Sequence, residues 1–253
     1  MWHGRAVTFS LLARCPETGQ FGAIVASRVL AVGTRVLAAR AGVGAAATQA
    51  GAWTLWRRNL LDAVELGCSS AQAIDRLAAE RNLADAQVAV VSASGAAAFT
   101  DAGCTAAAGN LDTEYGARPG REALAPGWVS AQGNTLAGSS VVPALLEGFV
   151  RCDGSLLERL VAGLLAGEAE GGDSRGRQSA AVLVVPGQVR ISPRHATQHP
   201  TGAWDDPFVD LRVDDDPEAV AVLAELTRTH TQHRERIRAG APQPHEDALL
   251  LPD

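Results

Sequence analysis

The feature that most constrains this chain is a recurring unit of two short apolar runs joined by a tight turn. Residues 8–14 form the first run, Pro16-Glu17-Thr18-Gly19 the turn, and residues 21–32 the return. Proline presets the backbone of a turn and glycine supplies left-handed geometry, so this reads as an antiparallel hairpin. Residues 36–50 read as two short strands broken at Gly42 and Gly44, and residues 87–92 pair with 96–100 across Ala93-Ser94-Gly95. Residues 128–134 form a further strand, and residues 177–192 a last hairpin turning at Pro186-Gly187. Between them, apolar positions recur at helical spacing over 55–66, 70–81, 139–151, 155–168 and 217–238, with Ser69 or Ser70 capping the second. Residues 110–127 read as an exposed loop, being rich in Gly, Pro and charge. Strands that come in hairpins, separated by blocks of helix, predict an α+β fold of antiparallel sheets with segregated helices rather than βαβ units.

At 253 residues the chain fits one domain, expected over 8–238, with 1–7 as an N-terminal extension and 239–253 as a polar tail. A net charge of −6 excludes a broad nucleic-acid footprint. No run of about 18 apolar residues escapes charge or glycine, so no membrane helix is expected. Cys15, Cys68, Cys104 and Cys152 lie far apart without a CxxC pair, which predicts reduced thiols, a cytoplasmic location and neither disulfide frame nor zinc site. All 22 basic residues are arginine. Without lysine there is no Schiff base, no phosphate-cradling lysine and no lysine general base. An amine that accepts a proton here has to be the α-amino group.

A set of strings then carries a resemblance. Thr8-Phe9-Ser10, Pro16-Glu17-Thr18-Gly19, Ala26-Ser27-Arg28, Ala41-Gly42-Val43-Gly44, Thr48-Gln49-Ala50, Gln132-Gly133-Asn134, the run from Gly171 through Ala181, and Val209 through Asp215 together resemble the DUF1028 family, in order, over about residues 8–226. The resemblance implies the N-terminal-nucleophile (Ntn) hydrolase superfamily and its four-layer αββα sandwich of two antiparallel sheets flanked by helices. It implies an amidohydrolase acting on a small amide or peptide-like substrate, with no cofactor and no metal, and leaves homo-oligomerisation open. The chain departs from the family pattern around Cys104 and after Ala50, where Trp53 and Trp56 stand, so a pocket wall is expected to differ.

In this reading Thr8 is the nucleophile and its own α-amine, with a pKa of about 8, the general base. Thr8 is not the first residue, so the mechanism needs either cleavage of the Val7–Thr8 bond or translation from the Val7 codon, the latter being the expectation. Ser27 is placed to orient the amine, or is a polar rim residue. Gln49 and Asn134 are either oxyanion donors or amides that hold loops together. Arg28, Asp173, Arg175 and Gln178 are candidates for substrate binding, the segment from Gly171 to Ser179 being a substrate-facing loop or a structural bend. If Arg28, Arg175 and Arg177 converge near Thr8 they form a fork for a substrate carboxylate; if they pair with acids they do not. The acids at 210 and 214–216 read as solvated residues ahead of a helix, His195 and His199 as no metal site, and His230 and His233 as solvated. Cys104 is a second nucleophile or packing. An inactive ligand-binding or structural protein of the same fold is the alternative.

Overall fold

In the computed structural model, which describes residues 8–104, 107–188 and 208–239, the first run becomes strand β1 (Thr8–Arg14). It pairs on one side with β2 (Phe21–Ser27), across a turn in which Gly19 takes φ 69° and returns a hydrogen bond to the Cys15 carbonyl. The chain then forms a short helix α1 (Val32–Val36), strands β3 (Leu37–Arg40) and β4 (Gly44–Ala50), and helices α2 (Trp56–Glu65) and α3 (Ser70–Glu80). Strands β5 (Ala86–Ser92), β6 (Gly95–Thr100), β7 (Gly109–Tyr115) and β8 (Gly127–Asn134) follow, then helices α4 (Val141–Arg151) and α5 (Leu156–Ala169). Strands β9 (Ser179–Val185) and β10 (Val209–Val213) and helix α6 (Ala219–Arg238) complete the described elements.

Two antiparallel sheets result, one ordered β10-β9-β2-β1-β8-β7 and the other β3-β4-β5-β6. Period-two alternation decides what each face touches. Phe9, Leu11 and Ala13 point from β1 to a core shared with Leu145 and Phe149 of α4, Leu160 and Leu164 of α5 and Leu223 of α6. Leu12, on the opposite face, joins Phe21, Val25, Ala47 and Val91 between the sheets. The outer face of the smaller sheet, including Val88 and Val90, packs on Leu60, Leu61 and Leu77 of α2 and α3. Burying each of these larger side chains is worth about 1.5–3 kcal/mol, which makes the layering the main source of stability.

Local chemistry supports the helices. Ser69 and Gln72 close a capping box on α3, and Ser155 and Glu158 close another on α5, each satisfying backbone N–H groups that the first turn leaves free. Helix α5 lies close to both α4 and β1 because Gly163 has no side chain: a Cβ there would collide with a Leu11 methyl and sit 2.7 Å from the Leu145 carbonyl oxygen.

The structure corrects three expectations and leaves a fourth in part outside the described residues. The stretch expected to be loop from residue 110 begins with an edge strand, β7, paired along its length with β8; its alternation is polar, so it lacks the apolar signature of a strand. The return strand expected to reach residue 32 ends at Ser27, because Ala31 adopts φ 53° and its N–H bonds the Asp214 carbonyl, turning the chain into α1. No strand was expected over residues 209–213, where the reading stopped at solvated acids; Asp210, Asp214 and Asp215 are exposed, but the segment pairs with β9 as β10 and buries Val209 and Val213. Of the hairpin expected over 177–192, the first strand is β9, which pairs with β2 and β10; residues 189–192 lie outside the described residues, as do the extension 1–7 and all of the tail but its first residue.

Candidate active site

Thr8 heads β1 between Ser27 of β2 and Asn134 of β8, its direct register partners on either side. Its side chain faces the other sheet and is 1% exposed. The hydroxyl donates to Ser27 Oγ at 3.4 Å, a long bond that leaves its lone pairs open to another group.

Around it the space between the sheets changes from apolar to polar. Gln49 Nε2 donates to the Thr8 carbonyl at 3.3 Å and to Gln87 Oε1 at 2.9 Å, while Gln49 Oε1 accepts from the Ser10 hydroxyl at 2.9 Å. Asn134 Nδ2 also donates to Gln87 Oε1, at 2.8 Å. Gln87 Nε2 in turn donates to the Gly133 carbonyl at 2.8 Å and to Thr100 Oγ1 at 3.0 Å, and Thr100 passes a bond to Asn110 Oδ1 at 2.9 Å. Every link crosses between the sheets or runs along the smaller of them, so the amides sew β1, β7 and β8 to β4, β5 and β6. Gln49 and Asn134 are brought to Thr8 as expected, and both serve as buried amides that hold strands together. Gln87 is the hub of the network, and the sequence reading missed it; a lone amide in an apolar strand was the available signal.

A cavity of about 140 Å³ opens beside Thr8. Gln49 and Thr48 line it from β4, Val32, Arg35 and Val36 from α1, and Thr54 from the following loop. Thr48 Oγ1 is buried with no protein hydrogen-bond partner. The position of α1 is fixed by Arg57, whose guanidinium donates to the carbonyls of Thr34, Arg35 and Thr54 at 2.7–2.9 Å. Burial lowers the Arg57 pKa from its ordinary value, with the neighbouring Arg58 charge adding to the effect, yet three carbonyl partners keep it a donor.

The segment from Gly171 to Ser179 lies at the same end of the sheet. Asp173 is buried and bridges to Leu136; its Oδ2 accepts from the Arg28 N–H at 2.9 Å, and its Oδ1 from the Arg175 N–H at 2.9 Å. Ser174 Oγ donates to the Thr135 carbonyl at 2.8 Å. Because Arg28 follows Ser27 and Thr135 follows Asn134, this segment ties down the strands on both sides of Thr8. The arginines do not form the carboxylate fork. Arg175 pairs with Asp173 at 3.2 Å, Arg177 pairs with Glu168, and Arg28 donates to the Arg175 carbonyl. Gln178 donates to Asp215 Oδ1 at 3.0 Å. None of Arg28, Asp173, Arg175 and Gln178 lines the Thr8 cavity, which places this loop as a brace around the site.

The remaining candidates fall elsewhere. Cys104 Sγ donates to the Ala86 carbonyl at 3.6 Å. Asp216 caps the start of the segment leading to α6 through the Glu218 N–H at 2.7 Å, whereas Asp210 sits on β10 near Arg212. His230, expected in solvent, is half-buried with Nε2 unpartnered, and burial lowers its pKa. His195 and His199 lie outside the described residues. Among the described residues no three potential metal ligands of the His, Cys, Asp or Glu type come together, and no helix is long and apolar enough to cross a membrane.

Fold and site together define a class: an α+β protein of two facing antiparallel sheets, with a buried threonine hydroxyl at the head of an inner strand and a small cavity beside it. The chain belongs to the family of unknown function DUF1028, whose pattern matches residues 8–223. The same fold is seen in the crystal structure of a DUF1028 protein from Silicibacter pomeroyi, at 29% sequence identity and a TM-score of 0.69 over 89% of each chain. No curated protein matches the sequence.

Proposed function

We propose that the chain is an amidohydrolase of the Ntn type, with the two sheets and their outer helices forming that superfamily's αββα sandwich and Thr8 acting as nucleophile. The observation that carries this reading is the position of the Thr8 hydroxyl, at the head of an inner strand, beside Ser27 and on the wall of a cavity. With Thr8 as first residue, its oxygen forms a bond to the substrate carbonyl carbon while its proton passes to its own α-amine. Collapse of the tetrahedral intermediate breaks the C–N bond, the departing amine takes the proton, and an ester remains on Thr8. Water then cleaves the ester, releasing a carboxylic acid and restoring the hydroxyl. Ser27 orients the hydroxyl, and the brace from Asp173 to Ser174 holds the strands on either side. The absence of lysine supports the α-amine as base.

A second reading, a ligand-binding protein without turnover, draws on the amides of Gln49 and Asn134, whose donors are engaged within the protein rather than aimed at an oxyanion. Intact-mass measurement and N-terminal sequencing of protein made from the native gene separate the two. The hydrolase reading expects a mature chain beginning at Thr8 and a Thr8→Ala variant at least ~10²-fold less active on a panel of small amides, with Thr8→Ser retaining part of the rate. An active sample that retains Met1, or a fully active alanine variant, would overturn it.

A further inference from the structure

The Thr8 cavity has a chemical polarity of its own. Among the described residues that line it, Arg35 is the only charged one; Val29, Val32, Val36, Ala50 and Ala52 give it an aliphatic wall. Arg35 is exposed at the rim, and no acid of the described residues pairs with it. Its backbone is held still from both ends of α1. The Arg57 guanidinium grips the Thr34 and Arg35 carbonyls, while the Val32 N–H donates to Ser179 Oγ at 3.0 Å and the Ala31 N–H to the Asp214 carbonyl at 3.0 Å. Arg28, Arg175 and Arg177, by contrast, are engaged inside the protein.

We propose that this cavity binds a small aliphatic amide bearing one carboxylate, with the Arg35 guanidinium taking the carboxylate as a two-pronged donor and the valine wall taking the aliphatic body. A guanidinium matches the planar geometry of a carboxylate, and a cavity of about 140 Å³ takes a short acyl or side-chain group rather than a long peptide. The amide part of this assignment rests on Thr8 being the nucleophile; the carboxylate part does not.

The test uses the whole chain carrying Thr8→Ala, so that binding is measured without turnover. Short N-acyl amino acids and their C-terminal carboxamides serve as matched probes in calorimetric titration. The carboxylate member of a pair should bind roughly 10- to 150-fold more tightly, the range of a hydrogen bond to a charged group. Adding Arg35→Met should erase that preference while leaving the melting temperature unchanged, because the side chain is exposed; Arg35→Lys should restore part of it. Equal affinity within every pair, a preference that survives Arg35→Met, or no binding of any probe would overturn the proposal. A charge preference in a protein whose parent hydrolyses no amide would retain the carboxylate site and reject the hydrolase reading. Turnover that depends on Thr8 but ignores substrate charge would do the reverse.

Discussion

Gln87 and Gln132 are both fully buried glutamines on inward faces of β5 and β8, yet their circumstances are opposite. Gln87 engages four neighbouring residues at 2.8–3.0 Å, whereas neither the amide nitrogen nor the oxygen of Gln132 has a protein partner. A buried amide that makes its bonds contributes modestly, and one that makes none costs its desolvation. Gln87→Leu should therefore destabilise the protein by at least about 2 kcal/mol in denaturant titration, since it strands donors on Gln49 and Asn134. Gln132→Leu, similar in size and apolar, should be neutral or stabilising by about 1–3 kcal/mol; a clear loss of stability would show that this amide is engaged. Thr8, Ser27, Gln49 and Asn134 could be singled out in the sequence because recognisable strings carry them. Gln87 and Arg35 could not be assigned to the site, because periodicity assigns a residue to a face and does not say which residues of other strands it meets.

Among the elements, hairpins with strong turns and helices with capping serines were legible, because their signals are local. The edge strand β7 and the short strand β10 were not: β7 has few apolar residues and resembles a loop until β8 supplies its hydrogen bonds, and the short alternation of β10 was masked by the acids around it. The residues after β7 are anchored by one ion pair. Arg118 contacts both carboxylate oxygens of Glu17, with Nε at 2.9 Å from each and Nη2 also donating to Oε2, and its backbone N–H adds a fourth bond at 2.8 Å. The Arg118 side chain is the main reason the Glu17 pKa lies below its ordinary value. A carboxyl whose folded pKa is depressed adds stability above its unfolded pKa of about 4.3 and loses that contribution as pH falls through the lower, folded value. Glu17→Gln should consequently flatten the fall in stability below about pH 4 in thermal melts across pH. An unchanged acid limb would mean that Glu17 is not among the groups driving it.

At the scale of the whole molecule, the larger sheet, α4 and α5 meet where Gly163 leaves room. Alanine is the better helix former by about 1 kcal/mol, so propensity alone favours Gly163→Ala. The close approach of the Leu145 carbonyl and the Leu11 side chain reverses that sign. The variant should be destabilised by about 1–3 kcal/mol as the helix pair is pushed off the sheet, and a higher melting temperature would show that the layers have slack. The order of hairpins and helix blocks already implied antiparallel sheets with helices set apart, and the family resemblance that they number two. Which residues meet across the two sheets was beyond reach, since the smaller sheet presents mainly small apolar residues such as Ala45, Ala47 and Ala89, which carry little information about their partners.

That alanine-rich interface and the amide network at its Thr8 end differ in one mechanical respect. Contacts between small apolar side chains have no direction, and a slight sliding of one sheet over the other would leave them almost as favourable. The bonds from Gln49 to Thr8 and from Asn134 to Gln87 do have direction, and a displacement of one residue along either strand would break them together. The network thus sets the alignment of the two sheets, while the apolar end mainly supplies adhesion. A cavity wall made from both sheets keeps its shape only if they stay in step, and here the part that prevents slippage lies next to the threonine.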